Sequence, residues 1–120
     1  MTFSALSHLE CSRTGARCSA DAVQGVSAAG APLLARYDTE RAARTLTRQA
    51  LARRPATLWR YHEMLPVRDP GSVVSLGEGM TPLLPLPRYG ARIGLPGLLM
   101  KDEGLTPTGT FKARGAAAPA

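Results

Sequence analysis

The chain has 120 residues, of which 44% are hydrophobic and only 5% aromatic, and it carries a net charge of +6. That length suits one modest domain with a core built of Leu, Val and Ala, and no apolar run is long enough to span a membrane. The amino terminus has no basic region ahead of an apolar one, which argues against a secretory leader. Two cysteines are too few for a disulfide scaffold, so a reducing, cytoplasmic setting is expected.

In residues 1–38, Leu6 and Leu9 precede Cys11, and Leu33–Tyr37 after Pro32 reads as a short strand. Asp38 or Thr39 can cap a helix running from Glu40 to about Arg53. On it Ala43, Leu46, Ala50 and Leu51 form a narrow apolar stripe, with Arg44, Thr45 and Arg48 on a solvated face. Pro55 is expected to open a second helix at its first position, with Leu58, Tyr61, His62 and Leu65 on one face, Trp59 packing beside it, and Pro66 ending it. His62 has no metal-ligand spacing to Cys, Asp or Glu, and reads as a surface or capping histidine.

Val73–Leu76 reads as a strand entering the turn-rich run Gly77-Glu78-Gly79-Met80-Thr81-Pro82. Leu98–Asp102 is the next strand, and Thr110 to Ala118 starts a helix that Pro119 would break. Strand, loop and helix in this order predict an α/β fold. Three segments follow: 1–38, a helical 39–72, and 73–120.

The positive charge comes from thirteen arginines, with lysine only at 101 and 112. No basic block is interleaved with aromatics, so nucleic acid is not an expected partner. Coding bias accounts for such Arg- and Ala-rich usage. A small basic protein that binds an anion or nucleic acid is the alternative reading that the charge alone supports.

Lys112 singles itself out. It follows Thr108-Gly109-Thr110-Phe111 at a helix start, where a tight turn and free N–H groups suit an anionic cofactor. The same field favours the neutral amine. A lysine there can form a Schiff base with an aldehyde, most commonly pyridoxal phosphate, which arginine cannot do.

Two stretches carry a resemblance. Ser75-Leu76-Gly77-Glu78-Gly79-Met80-Thr81-Pro82-Leu83 and Met100-Lys101-Asp102-Glu103-Gly104-Leu105-Thr106-Pro107-Thr108-Gly109-Thr110-Phe111-Lys112-Ala113-Arg114-Gly115 together resemble the threonine synthase family, and the likeness runs from roughly Cys11 to Gly115. The resemblance implies a partial fold-type II pyridoxal-phosphate enzyme domain, with the tryptophan synthase β-like fold, over 73–120. It implies that Lys112 is the lysine that binds the cofactor's aldehyde, that Phe111 packs beside the cofactor, and that Thr81 and Pro82 frame the active-site cleft. The implied activity is a carbon–oxygen lyase reaction on a phosphorylated small molecule, O-phospho-homoserine and water giving threonine and phosphate. The cofactor's phosphate loop lies later in the family, so the chain is expected to be an amino-terminal fragment, inactive alone, or a non-functional remnant. The sequence sets no oligomeric state.

Residues 1–38 also resemble the zinc-ribbon-like extension of some members, in degenerate form. The family's two Cys-x-x-Cys pairs stand here as Cys11-Ser12-Arg13-Thr14 and Ser27-Ala28-Ala29-Gly30. Zinc needs four soft or imidazole ligands, and Cys11, Cys18, His8 and His62 make no such set, so no metal is expected.

Overall fold

The structure is a computed structural model and describes residues 2–118; the break expected at Pro119 lies outside them. The chain divides into two compact units: residues up to Pro55 with Trp59–Val73, and Ala56–Leu58 with Val74–Ala117.

The first unit is built on a three-stranded antiparallel sheet. Its strands are β1 (Leu6–Cys11), β2 (Arg17–Cys18) and β3 (Leu33–Tyr37), in the order β2-β1-β3. The pairing of β1 with β3 shifts between Leu6 and His8. Leu6 and Cys11 have opposite parity, and the shift lets both point inward, where they are buried with Ala5, Ala31, Ala42 and Trp59. Trp59 packs 6.5 Å from the Phe3 ring, and His62 stacks on Phe3 at 4.1 Å. The His62 Nδ1 lies 2.5 Å from the Phe3 carbonyl. His62 therefore has a packing and hydrogen-bonding place in this unit.

The helix expected over Glu40–Arg53 is two helices. Asp38 caps α1 (Thr39–Ala43) by accepting from the Arg41 N–H at 2.8 Å. The chain breaks at 44–47, and Thr47 caps α2 (Arg48–Arg53) by accepting from the Ala50 N–H at 3.1 Å. A hydroxyl at Thr47 offers the backbone an alternative to continued helix, and the apolar stripe is too narrow to override it. Ala42, outside that stripe, is the buried residue of α1. Thr45 is not on a solvated face either, because its hydroxyl donates to Glu63 Oε1 at 2.7 Å.

Pro55 does not open a helix. A kinked 3₁₀ segment begins at Leu58 and ends at Met64, short of Pro66. It places the Glu63 side chain, 2% exposed, under α1 and α2. Arg54 grips that carboxylate with both terminal nitrogens, at 2.6 and 2.8 Å. Burial pushes the Glu63 carboxyl up, but the hydrogen bonds from Arg54 and Thr45 outweigh it and hold it at about 2.

In the second unit β4 (Leu83–Pro85) and β5 (Leu99–Lys101) form an antiparallel pair, Leu84 opposite Met100. Helix α3 (Pro87–Arg92) connects them, with Pro87 in its first turn. Helix α4 (Lys112–Ala117) follows β5, starting two residues later than expected. The expected strand Val73–Leu76 is absent. Glu78 is 1% exposed, and its carboxylate accepts from the Leu76 N–H at 2.8 Å and the Ser75 hydroxyl at 3.1 Å. That local bonding takes up the amide a sheet ladder would need. The strand forms instead at Leu83–Pro85, where the flanking prolines of the sequence hid it. All six side chains of β4 and β5 are exposed.

Candidate active site

The two sequence motifs meet in the second unit through one carboxylate. The Arg114 Nε–H donates to Glu103 Oε2 at 2.5 Å, and Arg114 Nη2 to Glu103 Oε1 at 2.9 Å. The Thr81 hydroxyl donates to the same Oε1 at 2.5 Å, and Arg114 Nη2 reaches the Thr81 hydroxyl at 3.3 Å. A fork of donors on one carboxylate is the strong form of this contact. The bonds from Arg114, then Thr81, hold the Glu103 carboxyl at about 2, against the upward push of burial. Arg114 is correspondingly raised by its bond to Glu103.

Lys101 belongs to the same cluster. Its ammonium donates to the Thr81 carbonyl, rather than pairing with a neighbouring carboxylate. Asp102 turns away to accept from the Gly104 N–H at 3.0 Å.

The turn before Lys112 is held from within. Thr106 is buried, and its hydroxyl donates to the Glu103 carbonyl at 3.0 Å and to the Thr110 carbonyl. Gly109 has φ +71°, a left-handed conformation that side chains resist, and its N–H donates to the Thr106 carbonyl at 2.8 Å. The N–H groups expected to be free at the helix start are in use. Lys112 N–H donates to the Thr110 hydroxyl, Ala113 N–H to the Thr110 carbonyl, and Arg114 N–H to the Phe111 carbonyl.

Lys112 is the first residue of α4 and exposed, and among the described residues its ammonium has no hydrogen-bond or ion-pair partner. Phe111 beside it is also exposed, at 66%. A cavity of about 110 Å³ adjoins α4, lined by Val74, Leu76, Glu78, Thr108 and Ala113 among others. The structure thus puts Thr81 and Lys101 in one cluster and leaves Lys112 and Phe111 outside it. Glu103 and Arg114, whose bonds join the two motifs, and Thr106 take places here that sequence reading did not give them. The signal for the first two was an acid and a base flanking the Thr-Gly-Thr turn.

In the first unit, the Cys11 thiol lies 3.0 Å from the Ser27 hydroxyl, between two tight turns closed by Gly15 N–H to the Cys11 carbonyl and Gly30 N–H to the Ser27 carbonyl. Bonds from Ser27 and Thr14 pull the Cys11 thiol down to about 7. Among the described residues no group of three His, Cys, Asp or Glu could hold a metal ion.

An exposed lysine without a side-chain partner among the described residues, behind a Gly-containing turn, fits the pyridoxal-phosphate dependent enzymes, and the model of that family matches residues 74–118. The chain is also similar to threonine synthases. It is 42% identical to that of Methanocaldococcus jannaschii over 79 residues, 66% of this chain and 20% of the relative. It is 45% identical to that of Methanosarcina acetivorans over 60 residues, 49% of this chain and 14% of the relative. It is 50% identical to that of Synechocystis over 56 residues, 46% of this chain and 15% of the relative. The chain therefore spans a fifth or less of the length of these curated relatives. No solved structure matches. No helix among the described residues is long and apolar enough to cross a membrane.

Proposed function

We propose that this chain supplies the aldehyde-binding lysine of a threonine synthase-like enzyme, and that Lys112 is that residue. The observation that carries the reading is the contrast between the two lysines. Both are exposed, but Lys101 is tied to the Thr81 carbonyl, whereas Lys112 at the start of α4 has no side-chain partner among the described residues. A free primary amine fits the aldehyde end of pyridoxal phosphate. When bound, that cofactor supplies an electron sink for the substrate's carbon skeleton. Lys112 would hold the cofactor and then carry protons at its Nζ. Phe111 would cover one side of the cofactor, and Thr81 and Pro82 would border the cleft.

By the same reading the substrate is O-phospho-homoserine, a small molecule, and the products with water are threonine and phosphate. The chain acts as the amino-terminal part of that enzyme, in the cytoplasm, and is inactive by itself. The span of a fifth or less of the relatives supports this. Residues 1–38 form a degenerate zinc-ribbon-like extension, supported by the two facing turns at Cys11 and Ser27. Residues 39–72 are a helical segment, and 73–120 begin the catalytic domain.

The test uses pyridoxal phosphate with borohydride trapping, then peptide mass analysis of the 120-residue chain. The adduct is expected on Lys112 in preference to Lys101. Lys112→Ala should remove it, and Lys101→Ala should leave it. The reverse pattern moves the assignment to Lys101. The same preparation should release no phosphate from O-phospho-homoserine above free cofactor, and turnover there would refute the claim of inactivity.

A further inference from the structure

We propose that Glu103 decides which lysine an aldehyde can reach: it is a positioning residue that withholds Lys101 and leaves Lys112 available. The inference rests on the reading of Lys112 given above.

The argument is geometric. Glu103 stands at the start of the 3₁₀ turn Glu103–Leu105, directly after β5. Its Oε1 fixes the Thr81 hydroxyl at 2.5 Å. Thr81 is 6% exposed, so its backbone has little room to move, and its carbonyl receives the Lys101 ammonium. Condensation to a C=N bond consumes the protons of the nitrogen, so the bond from Lys101 to the Thr81 carbonyl must be given up on the way to an adduct there. Glu103 also holds Arg114 by two bonds. Arg114 lies two residues beyond Lys112, within the same first turn of α4. One carboxylate therefore fastens the loop that occupies Lys101 and the helix that presents Lys112. The Thr106 hydroxyl, bonded to the Glu103 carbonyl and to the Thr110 carbonyl, closes the ring through the backbone.

The reaction to be discriminated is simple. An ammonium gives its proton to solvent and the amine adds to the aldehyde carbon. The aldehyde oxygen leaves as water, and a C=N bond remains. Borohydride then delivers hydride to that carbon while the nitrogen takes a proton, which makes the adduct permanent. The ratio of adduct at Lys112 to adduct at Lys101 reads amine availability directly.

The experiment traps pyridoxal phosphate on the native chain and on Glu103→Gln, Glu103→Asp and Thr81→Val. Glu103→Gln should lower the Lys112-to-Lys101 ratio by about fivefold, the worth of the one hydrogen bond by which an anchored Thr81 carbonyl holds the Lys101 amine. Glu103→Asp keeps the charge and should restore part of the selectivity, which general loosening of the fold would not do. Thr81→Val keeps the carbonyl but frees it from Glu103, and should raise the Lys101 adduct while the two bonds from Arg114 to Glu103 remain. It also decides the matter if Glu103→Gln does not fold, as hydrogen exchange at β4 and β5 will show. An unchanged ratio in the folded Glu103 and Thr81 variants overturns the proposal, while a dominant Lys112 adduct in the native chain leaves the Lys112 reading standing. Equal or greater labelling of Lys101 in the native chain refutes both.

Discussion

Replacing Arg54 with methionine should unfold the first unit or bring it close to unfolding. Glu63 is 2% exposed, and Arg54 supplies two cationic hydrogen bonds to it, at 2.6 and 2.8 Å. Removing one partner of a buried ion pair leaves an uncompensated charge and costs about 3–5 kcal/mol. A small unit has a total margin of only about 5–15 kcal/mol. Trp59, the single tryptophan, is buried in this unit and gives the fluorescence signal for urea unfolding. The double variant Arg54→Met/Glu63→Gln should lose less than Arg54→Met alone, because no charge is left without its partner. A loss under about 1 kcal/mol for the single variant would mean that water, not Arg54, compensates Glu63. The same pair sets the response to acid. The folded Glu63 carboxyl lies at about 2, below its ordinary 4.5. A depressed carboxyl contributes stability that is fully present above pH 4.5 and is lost as pH falls from there toward 2. Glu63→Gln should flatten that part of the acid titration.

Gly79→Ala should damage the second unit by a comparable amount. Gly79 has φ +149°, a region where L residues are strained by about 1–3 kcal/mol. A Cβ there would also lie 2.8 Å from the Thr57 carbonyl carbon and 2.9 Å from the Leu58 nitrogen. These are backbone atoms held in place, because the Leu58 N–H donates to the Glu78 carbonyl at 2.6 Å. They cannot yield as a flexible side chain would, and such overpacking adds about 1–3 kcal/mol. The loop would have to shift between Glu78, which organises Ser75 and Leu76, and Thr81, which occupies Lys101. Hydrogen exchange at the β4 and β5 amides should speed up by roughly 30-fold or more, the equivalent of about 2 kcal/mol. Loss of selectivity between the two lysines should accompany it. Native-like exchange in the variant would show that the backbone at Thr57 is free to move.

Local chemistry made much of the chain legible. Leu33–Tyr37 has the β-branched-free but apolar run of a short strand bounded by Pro32 and Asp38, and it forms over those five residues. Asp38 is a good cap wherever a helix can start, and it caps α1. The Thr-Gly-Thr turn before Lys112 needs only neighbouring hydroxyls and one glycine, so its sequence is enough to specify it. The two motifs around Thr81 and Lys112 also sufficed for the class, because Lys112 and its turn lie within a few residues of each other.

Other features depended on partners distant in sequence. Val73–Leu76 has strand composition, but the buried Glu78 carboxylate takes its amide, and no propensity scale weighs a side chain two residues on. The single helix over Glu40–Arg53 fails because Thr45 and Thr47 have better uses for their hydroxyls, Thr45 with a glutamate eighteen positions away. Glu63 and Arg54 look like ordinary surface charges until the fold buries them together. The sequence by itself determined the turn before Lys112 and the class of chemistry that its motifs resemble, since each rests on residues within a short stretch of chain. The tertiary structure alone decided which lysine is tied down. That choice runs through Glu103, whose bonds reach back 22 residues to Thr81 and forward 11 to Arg114, and only folding brings those three side chains together.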